Sequence, residues 1–262
     1  MAGLYAQAFK NIYNITIGKV YSAAELGFYT RAKSFAELSS GTVSGILQQV
    51  TYPILASLQD EKERMVSVYS RLIRMTAFFI FPVMTLLSLL ADPFVRLLLG
   101  PNWLSVIVLL QWMSFARVLY PISVINMSIL NAVGRSDLFL KVDLSKLPLI
   151  ILALIITIPL GVKAMVIGHV VTSCISFFIN AYMPGKLFGY GAIAQLRDMV
   201  PVFISTFVMV VTVIIVVHFS KGPYLQLIFG VISGFSVYFL MSYILKIEEL
   251  KEIQLLYLKL RK

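Results

Sequence analysis

Long apolar stretches alternate along the chain with short polar connections. A helix crosses the hydrocarbon core of a bilayer with about 20 apolar residues and hydrogen-bonds its whole backbone internally. The pattern therefore predicts an all-α, polytopic membrane helix bundle of about eight transmembrane helices. We place them near residues 2–22, 27–57, 69–91, 104–133, 142–160, 164–183, 200–218 and 224–245.

The charges of the connections predict the orientation of these helices. The connections at 60–64, 134–141 and 184–198, together with the tail 246–262 and the adjoining helix ends, carry 14 Lys and Arg residues. The connections on the opposite side carry 6. Because Lys and Arg are enriched in cytoplasmic segments, we expect both termini in the cytoplasm.

Composition agrees with membrane residence and narrows the classes of partner. Hydrophobic residues make up 59% of the chain and charged residues only 13%, whereas soluble domains are about 45–50% apolar. The net charge of +10 comes from cations dispersed between apolar runs. This dispersal gives no basic stripe for nucleic acid, so we expect membrane lipids as partners and no nucleic acid.

The residues that usually carry catalysis are scarce. His169 and His218 fall on different predicted spans, without Asp, Glu or Cys at metal-ligand spacing. Among the acids, only Glu37 lies well inside a predicted span, so paired carboxylates for acid–base chemistry are missing. With a single cysteine in addition, we predict no metal, no cofactor and no enzymatic activity.

Arg117 is the most informative charged residue, because it falls near the middle of the span 104–133. A charge at that depth costs about 2.5–3.5 kcal/mol on insertion scales. Pro121 follows four residues later and cannot donate a hydrogen bond to the carbonyl of Arg117, which predicts a kink there. Two interpretations remain open. Arg117 contacts an anion at a mobile point of a transport path, or it is a structural residue that pairs with an acid or reaches an interface.

Four further polar residues are candidates for the lining of a cavity. Arg31 and Lys33 open the second predicted span, and helical spacing allows Lys33 to pair with Glu37. Both cations lie near the outer membrane boundary, where snorkelling to the interface is the alternative. Lys10 and Asn14 share a face of the first span, which is the most polar of the eight.

Two more prolines are candidate hinges besides Pro121. Pro53 and Pro82 fall within predicted spans and free the carbonyls of Gln49 and Phe78. Such breaks are tolerated where neighbouring groups or water satisfy the backbone, so static kinks are the alternative.

Two pairs of glycines are spaced for close contact between helices. Gly41 and Gly45 form one pair, and Gly230 and Gly234 form the other. We expect both to allow a neighbouring helix to approach.

The C-terminal tail predicts an amphipathic helix. Its apolar residues recur at helical spacing, at Ile247, Leu250, Ile253, Tyr257 and Leu260. The charged residues lie elsewhere around this helix. We therefore expect the tail to lie on the inner membrane surface.

Four segments resemble a known family in their order, spacing and placement at helix ends. They are IGKVYSAAELGFYTRAKSF (17–35), TYPILASLQDEKERM (51–65), ADPFVRLLLGPNW (91–103) and LNAVGRSDLFLK (130–141). Together they resemble the polysaccharide (O-antigen type) flippases of the multidrug/oligosaccharidyl-lipid/polysaccharide exporter superfamily. Within them, Lys19 and Arg31 stand where the family usually has similar residues.

The resemblance implies two six-helix lobes followed by two extra helices, of which this chain matches only the C-terminal portion. Residues 1–187 would form one lobe, residues 188–246 the linker and the two extra helices, and residues 247–262 the cytoplasmic tail. The other lobe would come from a further segment, a partner chain or a second copy.

The implied function is export of a polyprenyl-diphosphate-linked oligosaccharide across the bacterial inner membrane, for O-antigen or other lipopolysaccharide synthesis. It would proceed by alternating access through a cationic cavity. Two alternatives stay open. One is a multidrug or peptidoglycan-precursor exporter of the same superfamily, and the other is a non-transporting membrane scaffold or gene remnant.

Overall fold

The computed structural model describes residues 11–252, and no β-strand occurs within that range. The first six helices are α1 (Ile12–Val20), α2 (Ala23–Ala56), α3 (Lys62–Leu89), α4 (Ala91–Leu98), α5 (Ser105–Val118) and α6 (Tyr120–Ala132). The next six are α7 (Ser136–Ser145), α8 (Leu147–Thr157), α9 (Val162–Phe188), α10 (Ala192–Asp198), α11 (Val200–Phe219) and α12 (Pro223–Ile244). Short 3-10 turns follow α4 at Pro101–Trp103 and α8 at Ile158–Leu160. The predicted all-α bundle is confirmed.

Five segments are long and apolar enough to cross a membrane by length and composition. They are Lys62–Leu89, Ser105–Ala132, Val162–Phe188, Val200–Phe219 and Pro223–Ile244. Each overlaps a predicted span.

The other three predicted spans take different forms. The span 27–57 is the continuous helix α2, which carries four charged residues in its first half. The span 142–160 is divided between α7 and α8, which meet at Lys146. Of the span 2–22, the structure describes α1 and the residues beside it.

The buried face of α2 is lined by small residues one turn apart: Ala32, Ala36, Ser40 and Ser44. Small side chains let neighbouring helices approach closely where lipid provides no hydrophobic driving force. The hydroxyls of Ser40 and Ser44 donate to carbonyls one turn earlier, at 2.9 and 2.8 Å. These side chains therefore add no unsatisfied polar group to the interior.

The two glycine pairs differ in what surrounds them. A Cβ at Gly230 or Gly234 would stand 2.6 Å from a methyl carbon of Leu90 or Leu86, so α12 contacts the end of α3 as closely as predicted.

The prediction for Gly41 and Gly45 is wrong within the described residues, because a Cβ at either position would meet nothing within 4 Å. These glycines lie beside the buried face of α2, and the alanines and serines of that face make the close contacts instead.

Pro82 lies inside α3 without interrupting it. The carbonyl of Phe78, which Pro82 cannot bond, accepts a hydrogen bond of 2.7 Å from the hydroxyl of Tyr238 on α12. Tyr238 is fully buried, so the freed acceptor is satisfied by a neighbouring helix. Pro53 lies inside α2, close to its end at Ala56.

Pro121 stands at the start of α6, just after a break in the span at Leu119. The break is where the kink is predicted. On the α5 side, the carbonyl of Ala116 accepts a hydrogen bond of 2.6 Å from Ser173 on α9. A hydroxyl on a neighbouring helix thus donates to a backbone carbonyl beside the break, where the regular helical hydrogen bonds are interrupted.

Contacts between connections show which of them lie at the same end of the bundle. At one end of the bundle, the Tyr21 hydroxyl donates to the carbonyl of Ile158. At the other end, Arg74 contacts Asp198 at 3.6 Å and Glu249 at 2.8 Å. The connection before α11 and the start of the tail therefore meet near the polar end of α3.

Candidate functional site

The candidate site is built on an ion pair between two helices. Arg117, in the last turn of α5, donates through Nη2 to the Glu37 carboxylate on α2. The guanidinium also lies over the ring of Tyr120, 5.2 Å from its centroid. The Arg117 side chain is 16% exposed and that of Glu37 is 40% exposed. The pair is thus close to the surface of the bundle and only partly shielded by protein.

Pairing with an acid is one of the two interpretations that the sequence leaves open for Arg117. It leaves part of the guanidinium unused, because Arg carries five N–H donors. The Nε of Arg117 is buried and has no hydrogen-bond partner among residues 11–252. The group therefore keeps capacity for a second acceptor.

Lys33 adds a second cation to the site. It lies one helical turn before Glu37 on α2 and interacts electrostatically with both Glu37 and Arg117. The expected pair between Lys33 and Glu37 is replaced, because the carboxylate bonds Arg117 instead. Two cations and one carboxylate leave a net charge of +1 at this place, which favours an anion.

An aromatic stack closes the site on the side of α1 and α9. The rings of Tyr13 and His169 stack with centroids 5.1 Å apart, and Tyr29 stacks on Tyr13 at 6.5 Å. His169 interacts electrostatically with Arg117 and Lys33. Its Nδ1 is buried and lacks a hydrogen-bond partner within the described part of the chain. The buried imidazole is thus a neighbour of the two cations.

The other predicted lining residues have separate surroundings. Arg31 lies 5.6 Å from the centroid of the Trp103 ring, a cation–π contact beside the 3-10 turn. Asn14 donates to Asn11 on α1 at 3.4 Å. Lys10 lies outside the described residues. Of the five predicted lining residues, the structure brings together Arg117 and Lys33.

A second buried polar cluster joins α3, α6 and α10. Tyr69 donates to the amide oxygen of Asn126, and the amide nitrogen of Gln195 donates to Asn126 at 2.8 Å and to Tyr69 at 3.1 Å. All three residues are fully buried. Mutual hydrogen bonds of this kind fix the packing of the helices that carry them. In the sequence, each of these three residues is a polar side chain in an apolar or connecting segment. That pattern does not reveal that the three side chains contact one another.

Metal coordination has no candidate in the described residues, since residues 11–252 contain no group of three or more His, Cys, Asp or Glu side chains placed to hold an ion.

Comparisons with known proteins agree with the resemblance in the sequence. The family described as "Polysaccharide biosynthesis protein" matches residues 1–108. An uncharacterized membrane protein in the cps region of Klebsiella pneumoniae is 24% identical over 231 residues, which are 87% of this chain and 48% of the relative. The teichuronic acid biosynthesis protein TuaB of Bacillus subtilis is 25% identical over 229 residues, covering 86% of this chain and 47% of TuaB.

A third relative is the lipopolysaccharide biosynthesis protein WzxC of Escherichia coli, 26% identical over 146 residues, which are 56% of this chain and 30% of WzxC. This chain is similar to membrane proteins of polysaccharide biosynthesis. It spans about half the length of the first two relatives. No solved structure matches the chain significantly.

Proposed function

We propose that this chain forms part of a flippase that moves a polyprenyl-diphosphate-linked oligosaccharide across the bacterial cytoplasmic membrane by alternating access. The observation that carries the proposal is the pairing of Arg117 with Glu37, beside Lys33, among membrane helices. The names of two relatives, for teichuronic acid and lipopolysaccharide biosynthesis, support a polysaccharide as the product.

The ion pair suits a carrier of diphosphate. A guanidinium binds phosphate oxygens with two parallel N–H bonds, as it binds a carboxylate. Between cycles, Glu37 neutralises Arg117, because a lone charge in a low-dielectric medium is costly. When the lipid diphosphate arrives, Arg117 exchanges the carboxylate for phosphate, and Lys33 supplies the second positive charge.

The helix break beside Arg117 is a candidate hinge for the site. Pro121 and Leu119 separate α5 from α6 within two to four residues of the guanidinium. Bending there would move Arg117 relative to Glu37 and change which side of the site is open. Pro82 and Pro53 are the further proposed hinges, in α3 and α2.

The proposed organisation follows the family. Residues 1–187 form one lobe, residues 188–246 carry the linker and the helices α11 and α12, and residues 247–262 form a cytoplasmic tail. Both termini face the cytoplasm. A second lobe, from a further segment, a partner chain or a second copy, completes the cavity.

The test replaces Arg117 in cells that depend on this protein for surface polysaccharide. We expect Arg117→Ala to lower the flipping rate about tenfold or more, because a hydrogen bond to a charged group is lost. The lipid-linked intermediate should then accumulate on the inner leaflet, which distinguishes oligosaccharide flipping from multidrug export.

Arg64→Ala is the matched control, since Arg64 pairs with Glu61 on the surface at 3.2 Å. Both variants should reach the membrane in normal amounts. Normal flipping by Arg117→Ala would remove Arg117 from the mechanism.

A further inference from the structure

The chain reverses direction immediately after α12 through an unusual turn. The Ile247 N–H donates to the carbonyl of Ser242 at 3.0 Å, and the Lys246 N–H donates to that of Tyr243 at 3.1 Å. This pair of bonds is the Schellman motif, which normally has glycine in the left-handed position. Here Lys246 takes that position, with φ of 53°, and is the one non-glycine residue with positive φ in the described range. The turn is therefore strained, and other contacts must hold it.

Those contacts are made by the glutamates that follow the turn. Glu249 accepts a bond of 2.8 Å from the Nε of Arg74, and Glu252 accepts one of 2.8 Å from the Nε of Arg71. Glu248 lies 3.5 Å from Arg74. The Glu249 side chain is only 6% exposed. The acidic residues at 248–252 are thus docked against α3. The remainder of the predicted amphipathic tail, residues 253–262, lies outside the described residues.

From the apolar residues that follow them, we expect the two arginines to lie at a membrane boundary. They are one turn apart on α3, and the apolar residues 75–91 follow directly after Arg74. Asp198 contacts Arg74 at 3.6 Å and accepts a hydrogen bond of 2.8 Å from the Tyr190 hydroxyl. Burial and the nearby Asp198 carboxylate raise the pKa of Tyr190, so it stays a donor. Without the tail, two guanidinium groups and one carboxylate would remain, with a net charge of +1.

We propose that Arg71 and Arg74 form a binding site for the phosphate headgroup of a membrane lipid, and that the tail segment Lys246–Glu252 is a built-in competitor for that site. Carboxylate and phosphate offer the same paired oxygens to a guanidinium. The strain at Lys246 favours release of the tail segment once a phosphate binds the two arginines. This inference goes beyond the proposed flipping and needs only that the chain resides in a membrane.

The test measures release of the tail in nanodiscs, which leave both membrane faces open to protease. Trypsin cuts after Lys246 and Lys251 only when the docked segment opens, and mass spectrometry follows both cuts. One set of discs contains phosphatidylcholine alone, a second adds anionic phosphatidylglycerol, and a third adds polyprenyl diphosphate. Inorganic diphosphate and potassium chloride are added to the neutral discs as soluble probes.

We expect one or both anionic lipids to speed cleavage of the natural chain about fivefold or more, the change produced by losing one docked ion pair. The lipid that acts identifies the source of the phosphate. In the variant R71Q/R74Q, cleavage should be fast in every disc and insensitive to lipid. The control R64Q, which alters an exposed ion pair on the same helix, should behave like the natural chain.

Two results would overturn the proposal. Cleavage at one rate in all three discs would mean that no lipid competes with the tail. If potassium chloride speeds cleavage as much as anionic lipid does at matched ionic strength, salt is screening the ion pairs and no lipid binding is needed. If R71Q/R74Q fails to fold, E248Q/E249Q/E252Q replaces it, because it frees the tail while keeping both arginines.

Discussion

Two clusters of charged side chains in this protein differ in their net charge. One has more cations than carboxylates, and the other has more carboxylates than cations. In the membrane site, Arg117 and Lys33 share the single carboxylate of Glu37. In the first half of α3, Arg71 and Arg74 are surrounded by four carboxylates, those of Asp198, Glu248, Glu249 and Glu252. The first place has donors in excess and suits an incoming anion, whereas the second can take one only after the three glutamates of the tail leave its arginines. An ion pair thus indicates an available site only when the charges around it are counted.

The largest expected effect comes from removing the one carboxylate of the membrane site. Glu37→Gln should lower the free energy of unfolding by about 2 kcal/mol, because Arg117 loses its countercharge in a medium of low dielectric constant. Glu37 is 40% exposed, so we expect less than the roughly 3–5 kcal/mol of a fully buried pair. Thermal unfolding in detergent, followed by tryptophan fluorescence, measures the change.

The double variant Glu37→Gln/Arg117→Met should recover most of that loss, since neither charge is then left alone. Additive losses in the double variant would show that the two side chains do not act as a pair.

The second region should tolerate the loss of one charge better. Arg74→Gln should lower the free energy of unfolding by about 1.5 kcal/mol, because partly exposed pairs contribute less and two of its three carboxylate partners, Asp198 and Glu248, remain in contact with water. The same unfolding measurement applies, with Arg64→Gln as the matched surface variant. A loss larger than that of Glu37→Gln would reverse the comparison between the two regions.

The hydroxyl of Tyr238 tests how firmly α3 is held near both regions. Tyr238→Phe removes the bond to the Phe78 carbonyl and should destabilise the protein by about 1 kcal/mol, since the carbonyl keeps no replacement donor. Hydrogen exchange at the amides around Pro82 should also become faster. Unchanged exchange there would indicate that Pro82 does not depend on α12.

The smallest effect is expected at the strained turn. Lys246→Gly should stabilise the docked tail by about 0.5 kcal/mol, because glycine adopts a positive φ without steric cost. Slower tryptic cleavage after Lys251 would report this gain, and faster cleavage would mean that the lysine side chain contributes to docking.

The sequence predicted the features that depend on local pattern. The long apolar helices follow from the thickness of a bilayer, and the break near Pro121 follows from the missing N–H of proline. It also singled out Arg117, because a charge in an apolar run is visible without any knowledge of contacts. The free carbonyl of Phe78 was predicted, although its donor was not.

What the sequence could not predict depends on which faces meet. Glu37 and Arg117 are 80 residues apart, and helical spacing suggested Lys33 as the nearer partner. The Gly41 and Gly45 spacing matched a contact motif, yet the adjacent face of α2 makes the contact. Gln195 lay in a predicted connection and is fully buried. Periodicity defines the faces of a helix but does not say which neighbour each face meets.

The hydrogen bond between Tyr238 and Phe78 has a mechanical consequence. A proline usually lets a helix flex, because one rung of its hydrogen-bond ladder is missing. In α3 the Phe78 carbonyl accepts its hydrogen bond from Tyr238 of α12 instead. If α3 bent at Pro82 without α12 moving too, this carbonyl would lose its donor in the hydrocarbon core. With Gly230 and Gly234 packed against Leu90 and Leu86, α12 braces α3 along this stretch. Any lever motion of α3 should therefore carry α12 along as one rigid body.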